Sequence, residues 1–241
     1  SELPIIFLTS LLKLNNKKLI NWLDNNAVDN SVYNRLKDYI LLIQKEREVR
    51  NIIGSSDADI LISRHILPSL ELSIIIKGNH GIDIGSGNGL PGIIIAIMDR
   101  RKRLTLFESK KGKANFLQHA KREICLTNID CVCSRAEVAA HDKKYREVYD
   151  FVTCRAVSNL RITSELSLPF LKIGGRYYAQ RGKGLNKEIE TSEEQIGALG
   201  GKIEAIVNKN IVIINKINNT PCNFPREWKK IKSEYRILNK N

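Results

Sequence analysis

The sequence predicts an α/β fold: a mostly parallel, seven-stranded open sheet with helices on both faces, preceded by a helical extension. Three observations predict it. From Gly78 onward, short apolar runs alternate with helix-length stretches, the signature of a doubly wound parallel sheet. The first of those runs, His80-Gly81-Ile82-Asp83-Ile84, enters a loop with glycines at 85, 87 and 89 and then the apolar stretch Ile93 to Met98. A strand, bare backbone and a helix in that order bring N–H groups against a ligand with no side chain between. The last two runs are joined through Asn208-Lys209-Asn210, short enough only for a hairpin, so an antiparallel pair closes a parallel sheet.

Taken in order, residues 1–77 read as the extension. Leu11, Leu12, Leu19, Ile20 and Leu23, then Val32, Leu36, Tyr39, Ile40 and Ile43, recur at three and four, the period of a one-sided helix. Asp29 and Asn30 are candidate caps for the second helix. A third follows Ser56-Asp57, carries Ile60, Leu61, Ile66 and Leu67, and is expected to end near Pro68. On it Arg64 and His65 stand side by side, either near a ligand or as a solvated cation beside a structural histidine. Residues 78–217 form the sheet domain, with strands expected near 80–84, 103–107, 129–133, 148–153, 175–180, 202–207 and 210–217. Helices are expected near 91–98, 112–124, 158–171 and 185–198. Residues 218–241 read as a basic tail packed on the same domain, with Pro221 and Pro225 marking irregular backbone.

The 241 residues suffice for one large domain with an appendage. Lysine and arginine number 39 against 26 acids, a net charge of +13, which suggests a polyanionic partner because cations release counterions from phosphates. Part of the excess follows from a composition rich in Ile, Lys and Asn, as AT-rich coding produces. Five cysteines at 125, 131, 133, 154 and 222 are expected to be free, buried thiols in a reducing compartment. Cys131-Val-Cys133 has no second pair and no histidine at ligand spacing, so no metal is expected. Glu2 and Pro4 argue against a signal peptide. No apolar run approaches the roughly 18 residues of a membrane span, and a soluble, cytoplasmic, monomeric protein with no membrane partner is expected.

The glycine spacing selects the ligand class. A dinucleotide site wants G-x-G-x-x-G, whereas Asp83-Ile84-Gly85-Ser86-Gly87-Asn88-Gly89-Leu90 has glycines at alternate positions, the form that points to S-adenosylmethionine. Asp83 would organise the loop or hold water around the methionine amino group. Glu108 ends the second strand, where an acid accepts both ribose hydroxyls of a nucleoside; the alternative is a helix cap. Ser134-Arg135-Ala136-Glu137 ends the third strand, where adenine would lie. Arg155 ends the fourth and would pin the substrate or the methionine carboxylate, or else form a surface ion pair. The closing antiparallel pair and the glycine spacing agree on a Rossmann-like class I methyltransferase fold.

Together these residues resemble a known family, the RsmG (GidB) methyltransferases. The resemblance rests on Asp83 to Gly92 with Leu90-Pro91-Gly92 directly after the loop, and on Glu108-Ser109 with Lys113 and Phe116-Leu117. It rests also on Leu126-Thr127-Asn128, Arg135-Ala136-Glu137, and Asp150-Phe151 leading to Arg155-Ala156-Val157. Arg64-His65-Ile66 with Ser69-Leu70, and Asn223-Phe224-Pro225-Arg226 after Lys216, extend it over roughly 58–230. The resemblance implies S-adenosylmethionine-dependent methylation of guanine N7, guanine-527, in 16S ribosomal RNA, with Gly85, Leu90, Ala136, Glu137 and Arg155 contacting the methyl donor. The residues themselves add Gly87 and Glu108. Candidate RNA contacts are Arg64, Arg181, Lys183, Arg226, Lys229 and Lys230, and Tyr177 and Tyr178 are possible stacking groups, at least one of them expected in the core. The sequence departs from the family at Glu46 to Ile52, where a Trp-Asn pair and an Asn-Leu are usual, and at Arg181-Gly182, where Lys-Gly is usual. Guanine N7 carries an in-plane lone pair, so no general base is expected. The alternatives are a methyltransferase of this fold acting on another RNA, a protein or a small molecule, and a non-catalytic ribosome-binding module with a vestigial loop.

Overall fold

A computed structural model describes residues 16–50, 58–155, 157–182 and 184–238. Leu11, Leu12, Ser56-Asp57, Asn51-Ile52, Ala156 and Lys183 lie outside them. The extension begins with α1 (Lys17–Asn25), whose first turn is capped by the Asn16 side chain accepting from the Leu19 N–H. In α2 (Asn30–Arg50) the cap is Asp29, whose carboxylate accepts from the N–H groups of Ser31 and Val32. Then α3 (Ala58–Leu61) passes through a π-helical turn (Ile62–Ile66) into α4 (Leu67–Ile75). Pro68 therefore does not end the third helix, contrary to expectation. The π turn directly before it accommodates the missing N–H and the ring, so the chain runs on helically to Ile75.

The sheet order is β3-β2-β1-β4-β5-β7-β6, with β1 (His80–Ile84), β2 (Arg103–Glu108), β3 (Ile129–Cys133), β4 (Tyr149–Arg155), β5 (Leu171–Gln180), β6 (Gly201–Val207) and β7 (Ile211–Lys216). The first five strands pair in parallel and β7 runs antiparallel to both β5 and β6, the closing pair that the short connection requires. Its turn holds Asn208 and Lys209 both left-handed, the geometry of a two-residue hairpin. Crossovers are α5 (Gly92–Met98), α6 (Lys111–Glu123), α7 (Ala136–Ala139), α8 (Leu160–Ser167), and the pair α9 (Leu185–Glu190) and α10 (Glu193–Ala198). The helix expected over 158–171 stops at Ser167 and passes through a 3-10 turn at Leu168–Phe170, and β5 starts four residues before its expected onset. The tail is not all irregular: α11 spans Trp228–Leu238.

Alternating strand side chains build two cores. Leu104, Leu106, Phe151 and Tyr178 face α5, α6 and the extension. Ile82, Ile84, Phe107, Val152 and Tyr177 face α7, α8, α10 and α11. Both tyrosines are thus core, so the stacking role considered for them is withdrawn: the Tyr178 hydroxyl accepts from the Lys77 N–H at 2.9 Å and Tyr177 lies beneath Arg181. Of the cysteines only Cys154 is buried; Cys125, Cys133 and Cys222 are exposed, because a strand end or a turn buries only alternate positions.

The segment after β7 is tied down by two cations, one of them buried. Arg146 donates to the carbonyls of Ala140, Thr220, Pro221 and Phe224. The buried ammonium of Lys216 donates to the Leu168 carbonyl at 2.8 Å and lies 3.4 Å from the Glu147 carboxylate; burial pushes its pKa down to about 8. Among the described residues no helix is long and apolar enough to cross a membrane, and no cluster of three metal-ligating side chains occurs.

Candidate functional site

The loop after β1 is shaped from below. Asp83 is fully buried; its carboxylate accepts from Thr153 Oγ1 on β4 at 2.8 Å and from the Gly92 N–H at the start of α5 at 3.2 Å. Burial raises its pKa to about 6, against the hydrogen bonds of Thr153, Ser86 and Gly92 and the charge of Arg155, which favour the anion. Of the two roles open to Asp83, the geometry supports the organising one. Gly85 is left-handed, at φ +67°, and a Cβ there would sit 2.5 Å from Val157 Cγ2, so a side chain at this position would disturb the loop's own packing as well as any ligand.

Glu108 joins the loop to β2. Its Oε2 accepts from the Gly87 N–H at 3.0 Å and its Oε1 from the Lys110 N–H at 2.8 Å. The cap-like bond and the loop bond coexist, and a carboxylate with about four acceptor sites keeps room for two more donors.

Two clefts open at the carboxyl ends of the strands, where open α/β sheets bind ligands. The first holds about 120 Å³ and is walled by Ile84, Gly85, Ser109, Ala136, Glu137, Val157, Leu166 and Trp228. The second holds about 490 Å³ over β4 and β5 and is lined by Arg64, Pro68, Arg155, Ser158, Gln180 and Arg181. Val157 lines the first and Arg155 and Ser158 the second.

Gly85, Ala136 and Glu137 thus meet at the first cleft, whereas Gly87 and Glu108, bonded to each other, are not among its lining residues. The Leu90 side chain is buried in the core beside α5, leaving only its backbone for a ligand. Arg155 borders the second cleft with its guanidinium turned to the π turn, donating to the His65 carbonyl at 3.2 Å, to Ser69 Oγ at 3.3 Å and to His65 Nδ1. Burial and the neighbouring cations Arg155 and Arg64 push the His65 pKa down, which keeps that ring neutral and able to accept. Its functional partner was not evident in the sequence, where only the adjacent pair Arg64-His65 signalled it.

The cations expected to grip RNA divide. Arg64, in the π turn, is exposed at the second cleft, and Lys229 and Lys230 are exposed on α11. Arg181 is a brace instead: its buried guanidinium donates to the Ser158 carbonyl, to Thr163 Oγ1 at 2.9 Å and to Tyr177 Oη at 3.4 Å. Arg226 is likewise engaged, held by the buried Glu165 at 2.7 Å and by Glu234. Both carry partners distant in sequence, which is why neither could be told from a solvated cation. Two further contributors also escaped sequence reasoning: Tyr39, which reaches the glycine loop from α2, and Trp228.

Comparison with known proteins follows the same lines. A sequence model of the GidB family, described as rRNA small subunit methyltransferase G, matches residues 32–215. The ribosomal RNA small subunit methyltransferase G of Clostridium novyi is 32% identical over 233 residues, 89% of this chain and 96% of the relative. That of Clostridium botulinum is 35% identical over 207 residues, 81% of this chain and 87% of the relative. Two solved structures share the fold. A putative caffeoyl-CoA O-methyltransferase from Staphylococcus aureus aligns with a TM-score of 0.51 at 14% identity, over 85% of this chain and 100% of the other. A putative S-adenosylmethionine-dependent methyltransferase from Methanococcus maripaludis aligns with a TM-score of 0.51 at 15% identity, over 75% and 95%. With the family's region covering α2 from Val32 onward, the glycine loop and every lining residue named for the two clefts except Trp228, this chain belongs to the GidB family, rRNA small subunit methyltransferase G.

Proposed function

We propose that this protein transfers the methyl group of S-adenosylmethionine to N7 of a guanine in 16S ribosomal RNA. The observation that carries the reading is the pair of clefts at the strands' carboxyl ends, one lined by Gly85 of the glycine loop with apolar side chains and the other lined by Arg64, Arg155 and Arg181. The residues fit the donor. Gly87 leaves open space where a Cβ would meet nothing nearer than the Gly85 carbonyl at 3.8 Å, and Glu108 retains acceptor sites for ribose hydroxyls.

When bound, the donor supplies an electrophilic methyl group. The chain's own residues then have a positioning task. The guanine N7 lone pair lies in the ring plane and loses no proton, so the acceptor cleft must align it with the methyl group and exclude water; oriented proximity of this kind supplies roughly 7–11 kcal/mol. Arg64, exposed at that cleft, would meet a phosphate, and Arg155 lines the same cleft beside it.

The test is mass spectrometry of nuclease-digested 16S RNA after incubating the protein with labelled S-adenosylmethionine and small subunits from a strain lacking this activity. Labelled 7-methylguanosine is expected. Label in another nucleoside would keep donor and fold and overturn the acceptor, and absence of label with donor binding intact would overturn the RNA assignment.

A further inference from the structure

Building on the donor assignment above, we infer that Trp228, the first residue of α11, is the aromatic wall of the donor cleft and takes the adenine ring of S-adenosylmethionine against its indole. Its side chain borders the same cavity as Ala136 and Val157. Ala136 follows β3, on the side of the sheet away from the arginine-lined acceptor cleft over β4 and β5, where the base of a nucleoside falls if Glu108 receives its ribose.

Polar walls come from Ser109, Ser134, Arg135 and Glu137, and Ile84, Val157 and Leu166 supply the aliphatic ones. Phe107 is fully buried with its own ring already against Tyr145 at 5.1 Å and Phe170 at 5.8 Å. Among the described residues no other aromatic ring stacks on Trp228. A flat heteroaromatic base gains from a π-face on one side and apolar packing on the other, and this cleft offers that pair of surfaces.

The indole is held in place. Two residues before it, Arg226 donates through its backbone N–H and Nε to Glu165 Oε1, both at 2.9 Å, and through Nη2 to Oε2 at 2.7 Å. His141 bonds the Pro225 carbonyl at 2.8 Å, and Ile231 is buried one turn further along α11. A wall anchored on both sides is preorganised for its ligand, which lowers the ordering cost of binding.

The chain has two tryptophans, so Trp22→Phe leaves Trp228 as the sole indole emitter. Titrating that variant with S-adenosylhomocysteine should change its emission in a saturable manner. Calorimetry with S-adenosylmethionine should show about tenfold or greater loss of affinity for Trp228→Ala, the scale of one base–aromatic stack, and recovery to within about threefold for Trp228→Phe. Ile231→Ala loosens the same helix while keeping the indole, and should cost clearly less affinity than Trp228→Ala does. Wild-type affinity in Trp228→Ala, unchanged emission at saturation, or an equal loss in Ile231→Ala would each overturn the assignment while leaving the donor reading intact. No donor binding by the wild-type chain would overturn both.

Discussion

The hydroxyl of Tyr39 donates a 2.6 Å hydrogen bond to the main-chain carbonyl of Asn88, so the helical extension holds the glycine loop directly. Tyr39 is fully buried, and its hydroxyl would lie 2.8 Å from a Cβ at Gly89, a second reason besides φ +90° for glycine at that position.

Tyr39→Phe removes the bond and keeps the ring. A net hydrogen bond is worth about 1 kcal/mol, so S-adenosylmethionine should bind about fivefold more weakly if the contact positions the loop. Calorimetry beside thermal unfolding separates the roles: a fall in melting temperature with unchanged affinity would make the contact purely structural.

Asp83 makes stability depend on pH. Its folded-state pKa, about 6, lies above the ordinary 3.8, so the folded chain keeps a proton that the unfolded chain has lost. The contribution is fully present below pH 3.8 and is lost as pH rises through about 6, a change of about 3 kcal/mol. Asp83→Asn has no proton to lose. Whatever constant offset the substitution brings, denaturant unfolding across this window should show wild-type stability falling relative to the variant. Parallel curves would contradict the buried-acid account.

Arg226 is assigned here to folding and not to RNA. Its partner Glu165 is fully buried and also accepts from Gln195 Nε2 at 2.8 Å. Arg226→Ala strands that carboxylate, at a cost of about 3–5 kcal/mol, and adding Glu165→Gln should restore part of the loss. Urea unfolding measures this. RNA affinity per folded molecule should stay near wild type, and a large drop would return Arg226 to the RNA surface.

Strands and loop were legible because each is announced locally: apolar runs of strand length, three glycines at alternate positions, and a connection too short for anything but a hairpin. What was not legible depends on distant partners. Arg181 and Arg226 read as surface cations because Thr163, Ser158 and Glu165 meet them only in the folded chain. Pro68 read as a stop because nothing in the residues before it announces a π turn. Helix α11 was hidden by Pro221 and Pro225, which shape the approach to the helix and not the helix itself, and by lysines that mask the apolar pair Trp228 and Ile231. The site was therefore readable where backbone meets ligand and unreadable where side chains brace one another.

Glu165 also imposes an order on biogenesis. The acid lies on α8, whereas Arg226 follows the last strand, so a nascent chain that has already paired all seven strands still harbours a stranded anion. Completion of the fold waits on translation of the segment beyond Lys216, and the indole two positions after Arg226 arrives in that same interval.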